Sequence, residues 1–255
     1  MEYFSHTHLI IHQLCESLSY LAGGYVYRKQ STSTLSIKLS SSAQILLLLG
    51  LVTGALWGSK LLAMLTYLDA LKNQPISVWL EGKTIVGGLL GGLIGIEVSK
   101  KLMNITSSTG DRFVYPLLLG MVIGRIGCLQ SGIEDYTFGI PTSLPWGMNL
   151  GDGISRHPTA LYEIIFLVML SLMLRVVKFK VSGTKFKIFL ICYLIFRFFI
   201  DFLKPPHGPI IVIKNILPAN SYYGLSAIQV ACLLGLAYYF YWFLCQTQQR
   251  YRSAL

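Results

Sequence analysis

A chain of 255 residues that is 53% hydrophobic and 13% charged, with a mean hydropathy of +0.58, departs from soluble domains, which carry about 25% charged residues. It reads as a polytopic membrane protein. The net charge of +10 comes from 21 Lys and Arg against 11 Asp and Glu, and these cations fall between apolar runs instead of forming one basic surface, so nucleic acid is not an expected partner. The five cysteines are scattered through apolar stretches and fit neither a disulfide framework nor zinc spacing.

Crossing a hydrocarbon core of about 30 Å takes roughly 20 apolar residues. Windows of that length predict seven transmembrane helices: Leu9 to Tyr27, Ala43 to Leu68, Thr84 to Val98, Phe113 to Leu129, Thr159 to Leu174, Ile188 to Leu203 and Tyr222 to Cys245. The first contains His12 and Glu16, whereas the stretch from Ser221 to Gln249 carries no charge. Gln30 to Ser42, rich in Ser and Thr, reads as a linker. Cations concentrate in alternate gaps, at Arg28 to Lys38, Lys100 to Arg112, Arg175 to Lys187 and Arg250 to Arg252. The other gaps hold only Lys72 and Lys83, Arg156, and Lys204 and Lys214. The positive-inside rule then puts the N-terminus outside, the C-terminus in the cytoplasm and the 130–157 loop outside. Because basic residues follow the first apolar run, that span is expected to stay in the mature protein. The expected fold is all-α: one polytopic membrane domain over residues 1–255, with the external loop 130–157 as an ordered cap.

Lys60, Arg125 and Arg197 lie inside predicted spans, where a charge costs several kcal/mol unless paired or wetted. Arg125 sits between Gly124 and Gly127 at the end of the fourth span, and two glycines there permit close approach of a backbone or lipid. Arg197 is followed four residues later by Asp201, on the same helical face. A guanidinium binds phosphate through two parallel hydrogen bonds and keeps its proton, so two such groups in the outer half of a bundle suggest an anionic headgroup site. The competing reading is a structural ion pair that fixes helix packing.

The external loop runs through Gly139-Ile140-Pro141 and Pro145-Trp146-Gly147 to Arg156-His157-Pro158-Thr159, then Tyr162 and Glu163. Its Gly, Pro and Trp content predicts a compact lid at the membrane interface. Glu163 either orients an arginine, moves a proton or pairs with Arg156, and His157 is either titratable machinery or a helix-end strut. In the third span Gly87, Gly88, Gly91, Gly92 and Gly95 recur at spacings of three and four, a face for close helix packing and, secondarily, a lipid groove. His12 and Glu16 share a face of the first helix, and Lys60 is one partner for Glu16. No Walker loop, His-Glu-x-x-His, Gly-x-Ser-x-Gly or dinucleotide fingerprint is present.

Four segments together carry a resemblance: Gly124-Arg125-Ile126-Gly127, Arg156-His157-Pro158-Thr159-Ala160-Leu161-Tyr162-Glu163, Gly87-Gly88-Leu89-Leu90-Gly91, and Phe196-Arg197 followed by Asp201. Over about Gly82 to Leu236 the chain resembles the prolipoprotein diacylglyceryl transferase family. The resemblance implies seven transmembrane helices in the bacterial inner membrane and transfer of the diacylglyceryl group of phosphatidylglycerol to the thiol of a lipobox cysteine in a precursor protein. It implies no metal and no organic cofactor. Arg125 matches the family's signature arginine and Arg197 its sixth-helix arginine, with Asp201 where the family usually has Glu. Their implied roles are to hold the phosphate and stabilise leaving charge, Asp201 or Glu163 orienting the guanidinium. Gly87, Gly88, Gly124, Gly127, Arg156, His157 and Tyr162 are the implied substrate-binding positions.

The chain departs from the family pattern in three places. Val86 stands where a histidine commonly precedes the glycine turn, Cys128 and Ser131 replace family asparagines, and the N-terminal half has Ile11-His12 to Glu16 and Gly58-Ser59-Lys60 in place of its usual motifs. His12 and Glu16 are therefore expected to take over from the missing histidine as base. Two alternatives are a lipid-headgroup-derived transferase with a different acceptor, and a non-catalytic anionic-lipid-binding protein.

Overall fold

The computed structural model describes residues 2–31, 40–72, 74–80, 82–135, 137–205, 207–212, 215–218 and 220–252. Most of the expected linker, residues 32–39, lies outside the described residues. Helices dominate: α1 (Glu2–Ser31), α2 (Ser41–Thr66), the single turns α3 (Leu68–Leu71) and α4 (Ile76–Trp79), α5 (Ile85–Leu102), α6 (Val114–Ser131), α7 (Thr159–Val176), α8 (Thr184–Ile200) and α9 (Ala227–Arg252). Among the described residues, three two-stranded antiparallel ribbons fill connections: β1 (Met148–Asn149) with β2 (Ser155–Arg156), β3 (His207–Val212) with β4 (Asn215–Pro218), and β5 (Ser221–Tyr222) with β6 (Leu225–Ser226). Each of the seven predicted segments overlaps a helix, but the last, expected from Tyr222, starts in the β5–β6 ribbon and becomes helical only at Ala227. Among the described residues, four helical segments are long and apolar enough to cross a membrane: Ser41–Thr66, Gly110–Glu134, Thr159–Val176 and Ala227–Cys245. The 18 residues of α5 include Glu97, Lys100 and Lys101, and α8 has 17 residues.

The chain packs as two compact units. The first comprises residues 1–39, 107–189 and 202–205, with α1 against α6 and α6 against α7. Its α7 buries Thr159, Ala160, Glu163, Leu167, Leu170 and Leu174, a stripe with the three-and-four spacing of one helical face. The start of α8 is anchored by Asp111, whose carboxylate accepts hydrogen bonds from the Gly183 amide at 2.7 Å and the Phe186 amide at 2.9 Å. That satisfies donors a helix start otherwise leaves open.

The second unit comprises residues 40–106, 190–201 and 206–255 and is built on the α2–α5 pair. Gly50, Gly54 and Gly58 on α2 meet Gly95, Gly91 and Gly87 on α5, and a Cβ on Gly54 or Gly91 would collide with the carbonyl oxygen of the other. The glycine face of the third predicted span is thus occupied by a second glycine face four residues in period, the small-residue contact by which membrane helices approach backbone to backbone. At its N-terminal end Ser59 and Thr84 exchange hydrogen bonds: Ser59 Oγ donates to the Thr84 carbonyl at 2.9 Å and accepts from the Thr84 amide at 2.9 Å. Outward, α2 presents Leu46, Leu49, Leu56 and Leu61. Such apolar exposure has its physical solvent in lipid tails. Beyond α2, Tyr67, Leu71 and Val78 form a small core that folds α3 and α4 over the helix end.

Candidate functional site

Arg125 and Glu163 form the centre of the first unit. Arg125 is 6% exposed and Glu163 1%, and Arg125 Nε lies 2.9 Å from Glu163 Oε2. The contact follows from periodicity. Glu163 occupies the buried stripe of α7 four residues after Thr159, and α6 presents Arg125 two residues before buried Gly127. Arg125 Nη1 also reaches Cys128 Sγ at 3.6 Å, one turn on. The structure places Glu163 beside Arg125, while Arg156, the one partner named for it from sequence, pairs with Asp152: Nη2 to Oδ2 is 2.7 Å and Nε to Oδ2 is 2.8 Å.

α1 supports this centre from the other side of α6. A Cβ on Gly127 would lie 2.7 Å from Cys15 Cβ and 3.8 Å from His12 Cα, so the glycine is what allows α1 this close. His12 and Glu16 therefore sit on the helix that packs against the Arg125 segment. Glu16 Oε1 accepts from Tyr20 at 3.1 Å, and in the second unit Lys60 Nζ donates to the Leu80 carbonyl. Gly124, by contrast, has open space where a Cβ would go.

Between α6 and α7, the described residues of the 130–157 stretch, 130–135 and 137–157, are held by hydrogen bonds within the first unit. Gly132 takes a left-handed φ of +60° and lets the Ile133 amide donate to the Leu150 carbonyl at 2.9 Å. Gly139 and Ile140 pair with His157 through bonds of 3.0 and 3.1 Å, and the Ile140 amide donates to Leu203 at 2.8 Å. Above the start of α7, Trp146 Nε1 donates to Tyr162 Oη at 2.9 Å, which in turn lies 3.2 Å from His157 Nδ1. Arg156 stacks on Phe138, its guanidinium carbon 4.9 Å from the ring centroid. Burial raises the Asp152 carboxyl's pKa, but the Arg156 hydrogen bond, the Ile154 amide and the Arg156 charge outweigh it and hold the group below the usual carboxylate range. Trp146 and Asp152 were not singled out as site residues from sequence. Asp152 had a readable signal, an acid four residues before Arg156, whereas nothing along the chain points Trp146 at Tyr162.

Arg197, Asp201, Gly87 and Gly88 belong to the second unit. α8 buries Phe189, Leu190, Tyr193, Leu194, Arg197 and Ile200, and Arg197 takes its place in that run at 6% exposure. Its Nη2 donates to Asp201 Oδ1 at 3.0 Å, while Nη1 is buried with no hydrogen-bond partner among the described residues. Such an orphaned cationic donor is costly unless a ligand completes it. Gly87 is taken up by packing against Gly58; at Gly88 the nearest atoms to an added Cβ, on Ala55 and Ser59, are 3.8 Å away. Val86 is buried at 1% exposure.

Each arrangement is a buried guanidinium paired with a carboxylate, the chemistry of an oxyanion or phosphate contact. The family model for prolipoprotein diacylglyceryl transferase matches residues 6–244. A relative from Nitrosomonas europaea, named phosphatidylglycerol–prolipoprotein diacylglyceryl transferase, is 29% identical over 231 residues, covering 88% of this chain and 82% of its own length. Relatives of the same name from Cupriavidus metallidurans and Nitratidesulfovibrio vulgaris (strain DP4) are 30% identical over 195 residues and 32% identical over 165. The former match covers 73% of this chain and 70% of the relative, the latter 62% of each. With its buried Arg125–Glu163 and Arg197–Asp201 pairs and a family match that runs from the first helix into the last, the chain belongs to the prolipoprotein diacylglyceryl transferase family.

Proposed function

We propose that this membrane protein transfers the diacylglyceryl group of phosphatidylglycerol to the thiol of a lipobox cysteine in a precursor protein. The observation that carries the reading is the pair of buried, carboxylate-held arginines, Arg125 with Glu163 and Arg197 with Asp201, the latter with a guanidinium nitrogen still unpartnered among the described residues. In the reaction a carbon–sulfur bond forms at the terminal glyceryl carbon as its bond to the phosphate oxygen breaks, and glycerol phosphate leaves with the bonding electrons. Negative charge therefore grows on a phosphate oxygen, and a buried, preorganised guanidinium donor stabilises such charge without reorganising. The thiol must lose its proton to attack. His12 and Glu16, on the helix packed at Gly127, are the base candidates that take the place of the family histidine, since Val86 has no titratable group.

On this reading residues 1–255 form one polytopic domain of seven spans in the bacterial cytoplasmic membrane, N-terminus outside and C-terminus inside. Loop 130–157 is its outer cap, where Arg156, His157 and Tyr162 meet substrate; Gly124 in the first unit and Gly88 in the second leave room for a lipid beside their own helices, while Gly127 and Gly87 serve the site through the helix packing they allow. The alternation of cations between gaps supports the orientation. Liposomes with labelled phosphatidylglycerol and a synthetic lipobox peptide test the proposal. A thioether product that requires the peptide cysteine and disappears in Arg197→Ala supports it; headgroup binding with no product from any lipobox peptide refutes it and leaves a non-catalytic lipid-binding protein or one with another acceptor.

A further inference from the structure

Asp201 uses both carboxylate oxygens. Oδ1 accepts from Arg197 Nη2 at 3.0 Å, and Oδ2 accepts from the Ser226 hydroxyl. Ser226 stands immediately before α9 and forms a reciprocal cap with Gln229: the Gln229 amide donates to Ser226 Oγ at 3.1 Å, and the Ser226 amide donates to Gln229 Oε1 at 2.9 Å. Gln229 is 3% exposed, and its Nε2 donates to the Phe198 carbonyl of α8 at 3.2 Å. The start of α9 is therefore tied at two points, to Phe198 in the last turn of α8 and to Asp201 immediately after it.

We propose that Ser226 is a positioning residue: its hydroxyl, fixed by the Gln229 cap, locks the Asp201 carboxylate so that Arg197 is held through Nη2 and its Nη1 stays directed at an anionic lipid headgroup. The chemistry of the hydroxyl fits this role. Because its oxygen accepts from the Gln229 amide, its one proton is committed outward, and Asp201 Oδ2 takes it. A carboxylate bound by a single contact rotates about its terminal torsion, which is broad and roughly two-fold. Bound at both oxygens it does not, and the guanidinium plane it holds is fixed with it. The buried Nη1, unpartnered among the described residues, is what such fixing leaves available.

The inference rests on the reading of Arg197 as a headgroup contact, and its test separates the two. Purified full-length protein in detergent is titrated with short-chain phosphatidylglycerol, and with phosphatidylcholine of the same chains as reference, alongside the transfer assay. Glycine is nearly as good a helix cap as serine, so Ser226→Gly removes the hydroxyl while leaving α9 close to its native stability, which a melting curve verifies. The expected result is a fall of about tenfold to a hundredfold in phosphatidylglycerol affinity or kcat/KM, restored to near wild type in Ser226→Thr. In an Asp201→Asn background Ser226→Gly adds little, because both changes act through Arg197. Wild-type behaviour of Ser226→Gly, or losses from the two substitutions that simply multiply, overturns the proposal. If wild type binds phosphatidylglycerol but transfers nothing, the transferase reading fails and the binding series alone decides the role of Ser226. Absence of both binding and transfer in wild type overturns both.

Discussion

Replacing Glu163 by Leu removes the carboxylate 2.9 Å from Arg125 Nε and leaves a guanidinium that is 6% exposed facing an apolar side chain. At this separation the direct attraction is about 6 kcal/mol at an effective dielectric of about 20. Several kcal/mol of it offsets the cost of taking each ion out of water, so the intact pair contributes little net stability. Breaking it from one side is different: an uncompensated buried charge costs about 3–5 kcal/mol. For a chain of this size that lowers the melting temperature by on the order of 10 °C. Arg125→Leu together with Glu163→Leu removes both charges and should melt within a few degrees of wild type. Both variants should lose transfer, because the phosphate contact has gone in one and its orienting carboxylate in the other. The assay is thermal unfolding of purified protein in detergent, paired with thioether formation on a lipobox peptide. A Glu163→Leu protein as stable as wild type would show that other contacts already compensate the Arg125 charge. A double variant as unstable as the single would show that the pair holds α6 to α7, and one that retains transfer would remove Arg125 from the site.

Adding a methyl group at Gly54 or Gly91 forces α2 from α5 and should cost about 1–3 kcal/mol in the same melting assay, whereas Gly88→Ala, with its nearest neighbours 3.8 Å away, leaves stability unchanged; equal losses at the three positions would contradict the interlocked glycine faces. Tyr162→Phe removes the oxygen that accepts from Trp146 and should cost about 1 kcal/mol of cap stability, read as faster amide hydrogen exchange over residues 139–157 with no change in α7. The lowered pKa of Asp152 means that its contribution is complete above its unfolded value near 4 and is lost as pH falls through the folded value. Exchange over this loop should therefore be flat from pH 5 to 8, after correction for intrinsic rates, and rise only below about pH 4; loosening between pH 5 and 8 would contradict the assignment. If His12 and Glu16 supply the base, His12→Ala with Glu16→Gln abolishes transfer while phosphatidylglycerol binding persists, and undiminished turnover in that pair rejects them.

The helices were legible in the sequence because hydrophobic length is a local property. Ser41–Thr66 and Thr159–Val176 emerge within two or three residues of the expected limits, and the Arg197–Asp201 pair follows from helical spacing alone. The Ser226-x-x-Gln229 cap was equally present as a pattern before an apolar run, though nothing local connects it to Asp201, 25 residues away. Hydropathy could not say which arginine Glu163 meets; the packing of α6 on α7 brought it Arg125, and Arg156, the partner named from sequence, went to Asp152. The glycines of α5 announced a close contact without naming what filled it, and only the approach of α2 turned Gly87 into a packing position and left Gly88 open. Sequence thus determined which segments are helices and which buried charges needed partners, because both follow from transfer energies along the chain. Which carboxylate met which guanidinium is a matter of long-range geometry, and the tertiary structure decided it.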